Sequence, residues 1–153
     1  MQAREFMSQP PITIHHDATA EDAARRMVEH RIGCLPVVDE NRALCGIITP
    51  SDYATNDVGV PFSIFRAPQL FGQWLPPGGV EEVYRAARDT PVRKIMRAPV
   101  ITCREDAGLD AVVRLLVDKK VHHVIVVRGK MPVGVVARHD LLRAMARAAA
   151  VAR

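Results

Sequence analysis

The chain has 153 residues, 48% of them hydrophobic, and a mean hydropathy near zero. That composition fits one compact domain or two closely packed halves and excludes wholesale disorder. No apolar run approaches the roughly 18 residues of a membrane span, the N-terminus lacks the charged start and apolar stretch of a secretory signal, and a net charge of +4 reads as solvated basic surface rather than a nucleic-acid groove.

In chain order, Pro11 to Ile14 reads as a short lead strand closed by the polar His15-His16-Asp17. Thr19, with Asp22 three residues on, starts a helix expected to reach about Arg31. Its apolar stripe is Ala23, Ala24, Met27 and Val28, with Glu21, Arg25 and Glu29 opposite. Cys34 to Val38 is expected as a buried strand, residues 39–42 as a turn and Leu44 to Ile48 as the returning strand. Pro50-Ser51 then opens the next helix, since proline suits a first turn. Residues 60–75 hold all but one of the phenylalanines and the only tryptophan, interleaved with Pro and Gly. They read as a packed loop that covers the protein's own core or forms a dimer surface. Gly79 to Arg88 reads as a short helix. Val100-Ile101-Thr102 is a second lead strand, followed by a helix whose core face is Leu109, Val112, Val113, Leu116 and Val117, with Gly108 at its start. Val124 to Val127 and Val133 to Val136 form a hairpin around Arg128-Gly129-Lys130. A last helix starts near His139 and becomes Ala-rich with a solvated arginine face.

The chain says one thing twice. Asp17-Ala18 recurs as Asp106-Ala107, 89 positions on, and Met7, Pro10, Thr13, Val28 and Val37 recur as Met96, Pro99, Thr102, Val117 and Val126. One deletion near Arg42 resets the spacing to 88, pairing Gly46 with Gly134 and Asp52 with Asp140. Each copy is a β-α-β-β-α unit too small to bury its apolar face alone. The fold expected is therefore α+β, with two pseudo-twofold-related repeats packed as one module. Residues 1–56 form the first repeat, 57–91 an insertion and connecting helix, and 92–153 the second repeat with its C-terminal helix. The odd cysteine count, Cys34, Cys45 and Cys103 without a CxxC pair, points to buried thiols in a reducing cytoplasm rather than a disulfide framework.

Met7-x-x-Pro10, Leu35-Pro36-Val37-Val38-Asp39 and Gly46-Ile47-Ile48-Thr49-Pro50-Ser51-Asp52 resemble the signatures of a CBS domain. Ile95-Met96-Arg97-Ala98-Pro99 and Gly134-Val135-Val136-Ala137-Arg138-His139-Asp140 resemble them again, so the whole is similar to a tandem CBS pair, or Bateman module. The second copy departs from the pattern where Val124-Ile125 replaces the Leu-Pro pair. The resemblance implies an adenosine ligand in clefts between the repeats: AMP, ADP or ATP, and in some members S-adenosylmethionine. It also implies a regulatory role on a partner protein rather than catalysis, and a homodimer, with no resident cofactor required.

The residues themselves are compatible with a nucleotide. Gly46 lets a ligand approach the backbone, Thr49 and Ser51 place hydroxyls at a helix start, and Asp52 can accept two hydrogen bonds from a ribose diol. Simple helix capping accounts for the same three side chains; the intact string favours binding. In the second copy Asp140 remains, Ala137 offers no hydroxyl, and Arg138 and His139 either compensate with charge toward phosphate or face solvent. His122 and His123 stand where the family places phosphate-facing basic residues, or are surface histidines at a turn. Adenine would be held by Ile12, Thr13 and Ile14 in one copy and Val100, Ile101 and Thr102 in the other, which serve equally as core strand. The doublets His15-His16 and His122-His123 are read as having no Cys or carboxylate at ligand spacing, so no metal site is expected. A scaffold module with degenerate clefts is the competing reading.

Overall fold

The computed structural model describes residues 1–55, 69–70, 73–74 and 88–152. In chain order the elements are α1 (Ala3–Phe6), β1 (Ile14–His15), α2 (Ala20–His30), β2 (Leu35–Val38), β3 (Leu44–Ile48), β4 (Ala54–Thr55), β5 (Gln69–Leu70), β6 (Gln73–Trp74), β7 (Thr102–Arg104), α3 (Leu109–Asp118), β8 (His123–Arg128), β9 (Met131–Ala137) and α4 (Arg138–Val151). Among the described residues there are also two single 3-10 turns, Pro50–Asp52 and Val92–Lys94. The chain divides into two compact units, one of Thr13–Asp39 and Cys45–Ala98, the other of Met1–Ile12, Glu40–Leu44 and Pro99–Arg153. Each repeat core thus packs with the lead-in segment of the other copy.

In the unit that begins at Thr13, strands β1, β2 and β3 form one sheet in that order, with β1 parallel to β2 and Ile14 opposite Val37. Ladder pairing begins at Ile14 rather than at Ile12 because Pro36, on the facing strand, has no N–H to give. Its repeat equivalent, Ile125, does donate, to the Ile101 carbonyl at 3.1 Å, and β7 is one residue longer. Helix α2 starts as expected: Thr19 N–H donates to Asp22 Oδ2 at 3.3 Å and Asp22 N–H to Thr19 Oγ1 at 3.1 Å. It ends at Arg31 in the left-handed region, φ 52°. Ala20, Ala23 and Met27 form its buried line. Val28, expected in that line, is 77% exposed; at 100° per residue it falls off the face that Ala20 and Ala23 define.

The lead-in of residues 88–97 closes this unit. Ala20 N–H donates to the Thr90 carbonyl and Val92 N–H to that of Ala18, both at 2.8 Å, and Arg93 N–H to that of His16 at 2.9 Å. Val92 is fully buried. The helix expected after Pro50-Ser51 is one 3-10 turn, after which the chain enters β4, antiparallel to β5, itself antiparallel to β6. The rest of the aromatic stretch 60–75, and the helix expected over 79–88 apart from Arg88, lie outside the described residues.

In the other unit, β7 is parallel to β8, and β8 antiparallel to β9 with a register shift between Val126 and Val127. Gly129, φ 63°, makes the β8–β9 turn in a conformation that suits glycine. Cys103, Val112, Leu116, Val124, Val126, Val136 and Ala144 form the core with Ala3 and Phe6 of α1. Ala3 N–H donates to the Ala107 carbonyl at 2.8 Å and Arg4 N–H to that of Glu105 at 3.0 Å. Val113 is only half-buried and Val117 is 65% exposed, so the buried face of α3 is narrower than expected. Val117 is the repeat equivalent of Val28. Both copies break the periodicity at the same place.

Candidate functional site

The two Gly…Asp strings fold alike. Gly46 is buried, and a Cβ added to it would lie 2.3 Å from the Met96 sulfur and 3.2 Å from the Arg97 carbonyl oxygen. Gly134 stands in the same relation to Met7, at 2.3 Å. The space expected to admit a ligand to the Gly46 backbone is therefore taken by a methionine side chain. Ile47 and Arg97 exchange both backbone hydrogen bonds, at 3.0 and 2.9 Å, as do Ser8 and Val135 at 2.9 and 3.1 Å.

At the end of β3 the Asp52 carboxylate, 8% exposed, turns back to accept the Thr49 N–H at 2.7 Å. Thr49 Oγ1 lies 2.8 Å from Ser51 Oγ and 3.3 Å from Asp52 Oδ2. Arg97, which the sequence comparison passed over, closes the constellation. Its Nε is 3.0 Å from Asp52 Oδ1 and its second guanidinium nitrogen donates to Thr49 Oγ1 at 3.0 Å. The expected hydroxyls and carboxylate are thus together, capped by one another and held by a guanidinium. With only three residues in the Pro50–Asp52 turn, the helix start expected there has little dipole to offer a phosphate.

The second string leads into a helix of 14 residues, α4. Asp140, buried, accepts the Ala137 N–H at 2.8 Å and pairs with Arg143 one turn on. His123 pairs in register with Ala137, and Arg138 N–H donates to the His122 carbonyl at 3.3 Å. His122, His123, Arg138 and His139 are therefore gathered where β8 begins and α4 starts. Thr102 is exposed beside Ile125 in the ladder, and Val100 and Ile12 are half-buried. Thr13 gives its carbonyl to Arg26 at 2.6 Å. Ile14 is buried in the sheet, so its side chain serves the core and leaves a ligand only its backbone.

Contrary to the expectation of no carboxylate at ligand spacing, Asp17 lies next to the first histidine doublet, 3.6 Å from His16 Nε2. That carboxylate already pairs with Arg93. Of the thiols, burial pushes Cys34 up to about 12 and Cys103 up to about 11.

The CBS domain family matches residues 3–58 and 92–147. The chain belongs to the CBS domain family. Solved structures agree with the fold: the CBS domain of a CBS domain containing membrane protein from Sphaerobacter thermophilus is 31% identical, with a TM-score of 0.71 over 94% of this chain and 86% of that one. The CBS domain pair of protein MJ0100, in complex with 5-methylthioadenosine and S-adenosyl-L-methionine, is 26% identical with a TM-score of 0.69, covering 96% and 97%. CBSX2, solved in complex with AMP, shares the fold at 19% identity and a TM-score of 0.69, covering 95% and 96%. Among curated proteins, MJ1404 of Methanocaldococcus jannaschii is 30% identical over 93% of this chain. The CBS chain spans 10%, 26% and 31% of the lengths of the first three such relatives. Among the described residues, no helix is long and apolar enough to cross a membrane.

Proposed function

We propose that this CBS pair is a regulatory module that binds an adenine nucleotide of the AMP, ADP or ATP type and acts on a partner protein rather than catalysing a reaction. One observation carries the reading: Asp52, almost wholly buried, is held at the end of β3 by the Thr49 N–H, with the Thr49 and Ser51 hydroxyls beside it. A carboxylate so placed is a fixed acceptor for a ribose diol. The MJ0100 pair, bound to two adenosyl ligands, supports the ligand class and keeps S-adenosylmethionine in it. In the second copy Asp140 takes the ribose role, and His122, His123, Arg138 and His139 supply positive charge and hydrogen-bond donors around the start of α4. The backbones of Ile12, Thr13 and Ile14, and of Val100 and Thr102, are assigned to adenine.

Calorimetry against AMP, ADP, ATP and S-adenosylmethionine tests this, with Asp52→Ala and Asp140→Ala as controls. Micromolar binding that loses a site or weakens in either variant supports the reading, and no heat with any adenosine ligand overturns it. A homodimer goes with it. Val28 and Val117, equivalent in the two copies and exposed, are the residues a partner copy would cover. Light scattering on wild type and Val28→Asp decides that point. The thiols Cys34, Cys45 and Cys103 fit the reducing cytoplasm.

The second reading is a constitutive scaffold module with degenerate sites. It is favoured by Arg97 already occupying Asp52 and by Ala137 in place of a hydroxyl. A ligand that raises the melting temperature counts against it.

A further inference from the structure

Arg97 has no counterpart in the other copy. Its repeat equivalent is Ser8, and Ser8 makes the same pair of backbone bonds to Val135 that Arg97 makes to Ile47. The bridge therefore does not need an arginine. What the arginine adds is its side chain: Nε on Asp52 Oδ1 and a second nitrogen on Thr49 Oγ1, each at 3.0 Å. These are the two groups a ribose would use. Asp140, by contrast, is paired from within its own helix by Arg143.

We propose that Arg97 is a specificity residue that makes the Gly46–Asp52 turn select anionic nucleotides over neutral nucleosides. The proposal rests on the nucleotide reading of that turn. Asp52 Oδ2 is already engaged by Thr49, so a ribose diol must take Oδ1 and displace the Arg97 Nε. A neutral nucleoside offers the displaced guanidinium no anionic partner. A nucleotide offers it a phosphate, which guanidinium pairs with in the same forked geometry as a carboxylate. The movement asked of the protein is small. The Arg97 backbone is pinned by Ile47 at both bonds, while its side chain is 58% exposed and free to rotate about its stem. Exchange of one anionic partner for another then accompanies binding, and the charge of the ligand decides whether the exchange is balanced.

The test is titration calorimetry of AMP and of adenosine into wild type, Arg97→Ala, Arg97→Lys and Asp52→Ala, on the full chain, with circular dichroism verifying that each variant is folded. Wild type is expected to favour AMP. Arg97→Ala is expected to bind adenosine more tightly and AMP more weakly, narrowing the AMP-to-adenosine ratio by roughly tenfold, the loss of about one charge-assisted contact. Arg97→Lys, which keeps the charge but not the fork, is expected to fall between. If AMP and adenosine both bind in an Asp52-dependent way and the ratio is the same in Arg97→Ala as in wild type, the Arg97 proposal is overturned and the nucleotide reading stands. If neither ligand binds wild type or Arg97→Ala, or if Asp52→Ala leaves both the stoichiometry and the affinity of binding as in wild type, the reading of the turn fails and takes the proposal with it.

Discussion

Gly46 lies against Met96 so closely that any Cβ at that position would sit 2.3 Å from the methionine sulfur, and Gly134 repeats the relation with Met7. These glycines hold the two lead-in segments against the sheets. Gly46→Ala and Gly134→Ala are each expected to cost about 1–3 kcal/mol by overpacking. At Gly134 the Met7 Cβ, only 3.2 Å away, cannot swing aside. The Gly46→Ala/Met96→Ala double variant is expected to be more stable than the two single losses add up to, because the added methyl then has room. Urea unfolding of the four proteins measures this, and simple additivity would remove the steric account.

The same contacts mark how far the sequence was legible. Spacings of 89 and 88 give the duplication, the strand–helix order and both Asp-bearing turns, because these depend on residues that recur. They do not give the exchange of lead-in segments. Met7 and Met96 recur whichever sheet each one covers, and recurrence names equivalent positions without naming partners. Arg97 escaped for the opposite reason: a repeat comparison discards what has no equivalent, and Ser8 is not an arginine. A charged residue inside Ile95-Met96-Arg97-Ala98-Pro99, beside a methionine that does recur, was the available signal. Val28 and Val117 misled because hydropathy alone does not separate a core valine from an exposed one at the edge of a stripe.

Tyr53 ties its turn to α2. Its buried hydroxyl donates to the Ala20 carbonyl at 2.7 Å, and burial first, then the neighbouring Asp52 charge, raise its phenol above the ordinary value of 10. Tyr53→Phe removes that bond with little change of shape. It is expected to lower stability by about 1 kcal/mol. A shift in the urea midpoint at unchanged slope would register the loss, and an unchanged midpoint would mean the hydroxyl contributes nothing net.

Thr19 starts α2, and its replacement by alanine is expected to cost about 0.5–2 kcal/mol. Part of that is pH-dependent. Asp22 sits below its ordinary value of 3.8, first through the hydrogen bond with the Thr19 side chain and then through the Thr19 backbone. A carboxylate lowered on folding contributes stability that is fully present above its unfolded value and is lost as pH falls through the folded one. The gap between wild type and Thr19→Ala is therefore expected to narrow between about pH 5 and pH 2. Thermal melts across that range follow it; a gap that stays constant would assign the effect to the cap alone.

The three thiols differ in reach. Cys34 and Cys103 are buried and their pKa values stand at about 12 and about 11, so at pH 8 each is almost wholly thiol. Cys45 is half-buried, with its S–H donating to the Val37 carbonyl at 3.4 Å. Since the thiolate is the reactive species, iodoacetamide is expected to add first and slowly at Cys45 in the native protein. All three positions react quickly once urea opens the core. Intact-mass spectrometry with peptide mapping counts the adducts. Rapid native labelling of Cys34 would mean that the start of β2 opens on the timescale of the reaction, which the packing of Leu35 and Val37 beside it does not allow.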